Sequence, residues 1–117
     1  MFYACPISSV KFVNVDTTLV NTMEMMFSGC GCLEKVDLSC CNTKNLKNIY
    51  NCFFGSGPLE IVDLSNFDLS NIDENDDENY GAVFGRSRLG KIIISKSQKE
   101  KVEKIFEDIY PDNVTFV

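Results

Sequence analysis

One seven-residue phrase returns down this chain at a near-constant interval. It reads Ile7-Ser8-Ser9-Val10-Lys11-Phe12-Val13, then Leu33-Glu34-Lys35-Val36-Asp37-Leu38-Ser39, then Leu59-Glu60-Ile61-Val62-Asp63-Leu64-Ser65, with a shorter copy at Leu89-Gly90-Lys91-Ile92-Ile93-Ile94-Ser95. The anchors Ile7, Leu33 and Leu59 stand 26 residues apart, and Leu89 follows after 30. A period of this size marks a stacked-repeat architecture, in which neighbouring units bury a core that none could bury alone. It points to a binding surface rather than a catalytic cleft.

Aligning the copies puts Val10, Val36, Val62 and Ile92 in one column and Phe12, Leu38, Leu64 and Ile94 in another. Anchor-x-x-apolar-x-apolar is the spacing of a short strand whose alternate side chains point inward. Further along, Val15 aligns with Cys41 and Phe67, Val20 with Leu46 and Ile72, Met23 with Ile49, Met26 with Cys52, and Phe27 with Phe53. In the first two units these later positions recur at i, i+3, i+6 and i+7, which predicts a convex helix over 20–27 and another over 46–53. Glycine-containing turns at Ser28-Gly29-Cys30-Gly31 and Gly55-Ser56-Gly57-Pro58 would end them.

The match of Leu59-Glu-Ile-Val-Asp-Leu-Ser-Asn-Phe-Asp-Leu-Ser-Asn-Ile72 and of Met26-Phe-Ser-Gly-Cys30 resembles the BspA-like leucine-rich repeats. Members of that family look like bacterial and protist surface proteins with adhesive or unknown roles. The resemblance covers about residues 7 to 95 and implies a fold and a style of binding, not a ligand. The expected fold is therefore α/β: a short right-handed leucine-rich-repeat solenoid with parallel strands and convex helices. One domain spans residues 1–117, with repeats at about 7–32, 33–58 and 59–88, a partial repeat at 89–95 and a cap at 96–117.

The cap is read from the change of character after Ser95. Ser97-Gln98-Lys99-Glu100 has a capping-box pattern, and Val102, Ile105, Phe106 and Ile109 follow at helical spacing before Pro111. That predicts a helix of roughly three turns. Asn113-Val-Thr-Phe-Val117 then alternates as a last strand. At the other end only Met1 to Pro6 precede the first repeat, a thin cover, so self-association into a homodimer through that repeat is expected.

Six cysteines, at 5, 30, 32, 40, 41 and 52, invite a metal or disulfide reading, but the register supplies a structural one. Cys41 and Cys52 fall in core columns, and Cys30 falls in a repeat turn. Cys30-x-Cys32 with Cys40-Cys41 lacks the usual paired spacing of a zinc site, so no metal is expected. The chain has no histidine, the commonest general base and zinc ligand, and no cysteine has an evident activator. No catalytic set and no cofactor are expected.

The charge is unevenly placed. Residues 60–79 hold Glu60, Asp63, Asp68, Asp73, Glu74, Asp76, Asp77 and Glu78 with no base, whereas residues 86–104 are rich in lysine and arginine. In the third repeat an insertion, Asp73-Glu-Asn-Asp-Asp-Glu-Asn79, sits where a convex helix would be, and it is expected to break that helix or replace it with a loop. An EF-hand would need glycine and glutamate where Glu78 and Phe84 stand, so calcium is not expected. The run is either a solvated face or an acidic surface for a basic partner. The formal charge of −6 argues against direct nucleic-acid binding and against nonspecific adsorption to anionic membrane. No stretch is long enough for a membrane span, and no secretory signal is seen, so a cytoplasmic location is expected, or the cell surface if the chain belongs to a longer parent.

The candidate binding residues are those between the inward strand positions, on what would be the concave face of the solenoid, together with the insertion. The strand columns are Ser9, Lys35, Ile61 and Lys91; Lys11, Asp37, Asp63 and Ile93; and Val13, Ser39, Ser65 and Ser95. From these, Lys11, Lys35, Asp37, Ile61, Asp63, Lys91 and Ile93, with Asp73, Glu74, Asp76, Asp77 and Glu78, are expected to meet a protein partner. Against this, Asp37, Asp63 and the serines could simply satisfy their own backbone. The functions in view are a non-enzymatic protein-interaction module, a small acidic inhibitor that imitates nucleic acid and is carried by a mobile element, and a fragment of an exported adhesin.

Overall fold

The computed structural model describes residues 2–117. The four copies of the phrase become strands β1 (Ser9–Lys11), β2 (Lys35–Asp37), β3 (Leu59–Leu64) and β4 (Leu89–Ile94), and a fifth, β5 (Val114–Phe116), follows α1 (Lys99–Ile105), the one α-helix among the described residues. They form one sheet in the order β1-β2-β3-β4-β5. Every neighbouring pair is parallel. Val10, Val36, Val62 and Ile92 lie in one register column, as the 26-residue alignment requires, and Val114 extends it. Val36, Val62 and Ile92 are buried and Val10, on the edge strand, is half-buried, so the strand side of the core is a stack of branched aliphatics.

The opposite side departs from expectation. Neither 20–27 nor 46–53 is helical; Thr22 bridges Asn48, and consecutive turns occupy 24–29 and 50–55. Met26, Ser28 and Cys30 each close a turn by donating to the carbonyl three residues back, and so do Cys52, Phe54 and Ser56. The N–H groups between them point elsewhere: Met23, Met25, Phe27 and Gly29 donate to Asn48, Tyr50, Cys52 and Phe54 of the next unit, and Ile49, Asn51, Phe53 and Gly55 repeat this one unit on. A helix would close these N–H groups on itself, four residues back. Left-handed residues at Met25 (φ 55°), Asn51 (φ 53°) and Ala82 (φ 51°) interrupt any helical path.

Spacing explains why the turns win. Parallel strands sit about 4.8 Å apart, whereas helices pack about 8–10 Å apart. Phe27, Phe53 and Phe84 stack at 5.3 and 5.2 Å between ring centroids, close to the strand interval. The turn side therefore repeats at nearly the same interval as the strands.

Side chains tie the units together between these two layers. Thr17 Oγ donates to the Asn42 carbonyl (3.0 Å) and accepts from the Asn42 N–H (2.8 Å). Thr43 does the same with Asp68, at 3.1 and 2.7 Å. At the third unit this column holds Leu69, and Gln98 of the cap accepts from the Leu69 N–H instead (2.9 Å). That use of Gln98 alters the cap. A short 3-10 turn over Lys96–Gln98, capped by Ser95, precedes α1, rather than a capping box on Ser97. The helix spans seven residues, not three turns, because Phe106 leaves it (φ −92°, ψ 75°). Phe106 meets the Phe84 ring edge-on at 5.4 Å, closing the aromatic column.

Candidate binding surface

The register sets the exposed strand positions in rows. Ser9, Lys35, Ile61 and Lys91 are Cα partners across β1 to β4, as are Lys11, Asp37, Asp63 and Ile93. Thr115 on β5 extends the second row, a position that the repeat phrase does not reach because β5 lies outside the 26-residue period. Ser9, Lys35, Lys91, Lys11 and Thr115 are exposed, and Ile61, Asp37, Asp63 and Ile93 are half-buried. The face therefore carries two branched aliphatics in adjacent rows, Ile61 between lysines and Ile93 between Asp63 and Thr115. Ser39, Ser65 and Ser95 lie just past their strands, in the turns.

The carboxylates of this face are partly engaged by their own turns. Asp37 accepts from the Ser39 hydroxyl (2.5 Å) and backbone N–H (3.0 Å), and Asp63 accepts from the Ser65 N–H (3.0 Å). The Ser39 hydroxyl, and then its N–H, hold the Asp37 carboxyl below the usual aspartate range. Lys11 approaches Asp37 at 3.8 Å, a solvent-exposed pair of small energetic consequence. Asp37 and Asp63 thus have a structural role, while Lys35, Ile61, Lys91 and Ile93 make no such contact among the described residues.

The acidic insertion is a loop with a 3-10 turn at Asp77–Asn79. Glu74 faces the cap, with Lys101 at 3.7 Å and Lys104 at 3.2 Å. Asp73 and Asp76 accept from the N–H groups of Asn75 and Glu78 in the same loop. Tyr80 donates its hydroxyl to the Glu74 carbonyl at 2.8 Å. The uneven charge along the chain is to this extent complementarity between a loop and the helix stacked beside it. Asp77 and Glu78 are exposed in the 3-10 turn and belong to no strand row.

The cysteines are dispersed through the layers. Cys30, Cys41 and Cys52 are buried, Cys5 is intermediate, and Cys32 and Cys40 are exposed. Burial pushes the Cys52 thiol up to about 12 and the Cys41 thiol up to about 11, which suppresses the thiolate in both. Cys30 is raised too, again chiefly by burial, and its Sγ donates to the Phe2 carbonyl at 3.0 Å. Among the described residues no group of three or more His, Cys, Asp or Glu side chains is placed to hold a metal ion. No helix among them is long and apolar enough to cross a membrane.

A repeated parallel α/β fold with an exposed strand face defines the class. The chain belongs to the family described as Mycoplasma protein of unknown function, DUF285, whose pattern it matches over residues 1–111. Comparisons with curated proteins and with solved structures give no match.

Proposed function

We propose that this chain is a non-enzymatic protein-interaction module built as a short right-handed leucine-rich-repeat solenoid of the BspA-like kind. The observation that carries the reading is the placing of Ile61 and Ile93 in two adjacent rows of the neighbouring parallel strands β3 and β4, Ile61 between Lys35 and Lys91 and Ile93 between Asp63 and Thr115. Branched aliphatics held on a rigid sheet can be desolvated at low conformational cost, and surrounding lysines set orientation and exclude wrong partners. A broad, mixed surface of this kind suits a folded protein better than a small molecule, which takes a deep apolar pocket. The strand face takes precedence over the acidic insertion because Glu74 is engaged by the cap lysines and Asp73 and Asp76 by their own loop.

The test compares partners retained from source lysate by the immobilised chain and by two variants. Ile61→Asp with Ile93→Asp disables the face, and Asp73→Asn, Glu74→Gln, Asp76→Asn, Asp77→Asn and Glu78→Gln together neutralise the insertion. A partner kept by the neutralised insertion and lost by the face variant, with far-ultraviolet circular dichroism unchanged, supports the proposal. Loss only on neutralising the insertion moves recognition to the acids. Retention by both variants rejects both surfaces.

A further inference from the structure

The aromatic column does not begin in the first repeat. Phe2 stacks on Phe27 with centroids 5.4 Å apart and planes 4° from parallel, the geometry of the Phe27–Phe53 and Phe53–Phe84 pairs. Its backbone follows the same rule: Phe2 N–H donates to the carbonyl of Met26, just before Phe27, as Phe27 N–H donates to Cys52 and Phe53 N–H to Val83. Ala4 N–H donates to Ser28, as Gly29 does to Phe54, and Ala4 is left-handed (φ 56°) like Gly29 (φ 73°). Cys30 Sγ reaches the Phe2 carbonyl as Ser56 Oγ reaches that of Phe27. Residues 2–5 are therefore, in conformation and contacts, the closing part of a repeat unit stacked on the first.

The rest of that junction is open. At the next junction, groups of the second unit from Glu34 to Phe54 bond to the first unit. Their counterparts 26 residues earlier include the N–H groups of Ser8, Asp16 and Asn21, the carbonyls of Lys11, Thr22 and Glu24, and the Met26 and Ser28 carbonyls that Phe2 and Ala4 occupy. The other six have no hydrogen-bond partner among the described residues. Beside them lies an apolar hollow of about 630 Å³ whose lining includes Phe12, Val15, Val20 and Met23. Leu19, at the position where Asn45 reaches back to the preceding unit's Thr18 carbonyl, is 90% exposed.

We infer that this face is a docking surface for one further unit of the same repeat, running into Phe2. The donors, acceptors and apolar hollow continue an interface already formed twice in the chain, with the same spacing and sense. A second copy matches this face only at β5, the other edge strand, because at its far end α1 stands in place of a turn run and Phe106 meets the aromatic column edge-on.

The test grafts a copy of residues 33–51 directly ahead of Met1, so that the copied Thr43 is placed to accept from the Asp16 N–H as Thr43 does from Asp68. A graft with the same residues in scrambled order is the control. The expected result is a Tm about 5 °C or more above the control. Amide exchange at Ser8, Asp16 and Asn21 should slow at least about tenfold. Leu19→Glu should cancel the gain in the grafted chain and leave Tm within about 2 °C in the ungrafted one. Equal Tm and equal exchange in graft and control overturn the inference. So does an ungrafted chain that sediments as a dimer with those amides already slow, which assigns the face to a second copy.

Discussion

The turn runs make a prediction whose sign separates them from the helices that the sequence pattern suggests. Met25 stands in the first run at φ 55° and is 37% exposed. Comparing Met25→Ala with Met25→Gly cancels the lost side chain and isolates the backbone. In a helix the glycine variant is less stable than the alanine one by about 1 kcal/mol. In the left-handed region the Cβ itself costs about 1–2 kcal/mol, and removing it outweighs the roughly 0.4–1 kcal/mol of extra chain entropy that glycine gives the unfolded state. The glycine variant should then be more stable than the alanine variant by about 0.5–1 kcal/mol. For a chain of 117 residues this is about 2–4 °C in Tm. Thermal unfolding followed by circular dichroism, with urea midpoints as a second measure, reads the difference directly. An alanine variant more stable than the glycine one by about 1 kcal/mol would refute the turn assignment over 24–29.

Other outcomes follow from the same packing. Thr43→Val should destabilise by about 2 kcal/mol in urea titration, because it strips partners from both the N–H and the carbonyl of Asp68; a change under about 0.5 kcal/mol would mean that the threonine tie does not operate. Phe53→Ala, in the middle of the aromatic stack, should cost about 3–5 kcal/mol in the same titration, and a cost below about 1 kcal/mol would show the column to be loosely packed. Asp16, Asp37 and Asp68 are each held below the ordinary aspartate value, first by the hydroxyl and then by the N–H of the residue two places on. Their contribution is present above that ordinary value, near pH 4, and is lost as the pH falls through the lower folded values. Replacing all three with asparagine should therefore flatten the acid limb of a stability–pH curve, and an unchanged limb contradicts the assignment. With a thiol reagent at pH 8, Cys32 and Cys40 should react first and Cys41 and Cys52 last; mass spectrometry of partly labelled protein gives the order, and early labelling of Cys52 would place it outside the core.

The strand layer was legible in the residues because its signal is local and repeated. A buried residue at every second position, returned at 26, fixes both the face and the neighbour of Val10, Val36 and Val62. The last strand was legible from its local alternation alone, without the repeat. The column Phe2-Phe27-Phe53-Phe84 could have been found by extending the 26-residue alignment back to the N-terminus, where Met1-Phe2-Tyr3-Ala4-Cys5 resembles Met26-Phe27-Ser28-Gly29-Cys30 with one residue less between the copies.

By itself, then, the sequence determined that the chain repeats, which side chains form the spine, and which residues share a row on the exposed face. Only the tertiary structure decided how the second half of each unit travels. Inward positions at i, i+3, i+6 and i+7 satisfy a helix and a run of turns equally well, so periodicity is silent between them. What decides is where alternate N–H groups go, and that depends on a neighbouring unit only about 5 Å away. The pairing of Glu74 with Lys101 and Lys104 was beyond sequence reasoning for the same reason. Those residues are distant along the chain and meet only because the cap folds onto the third unit.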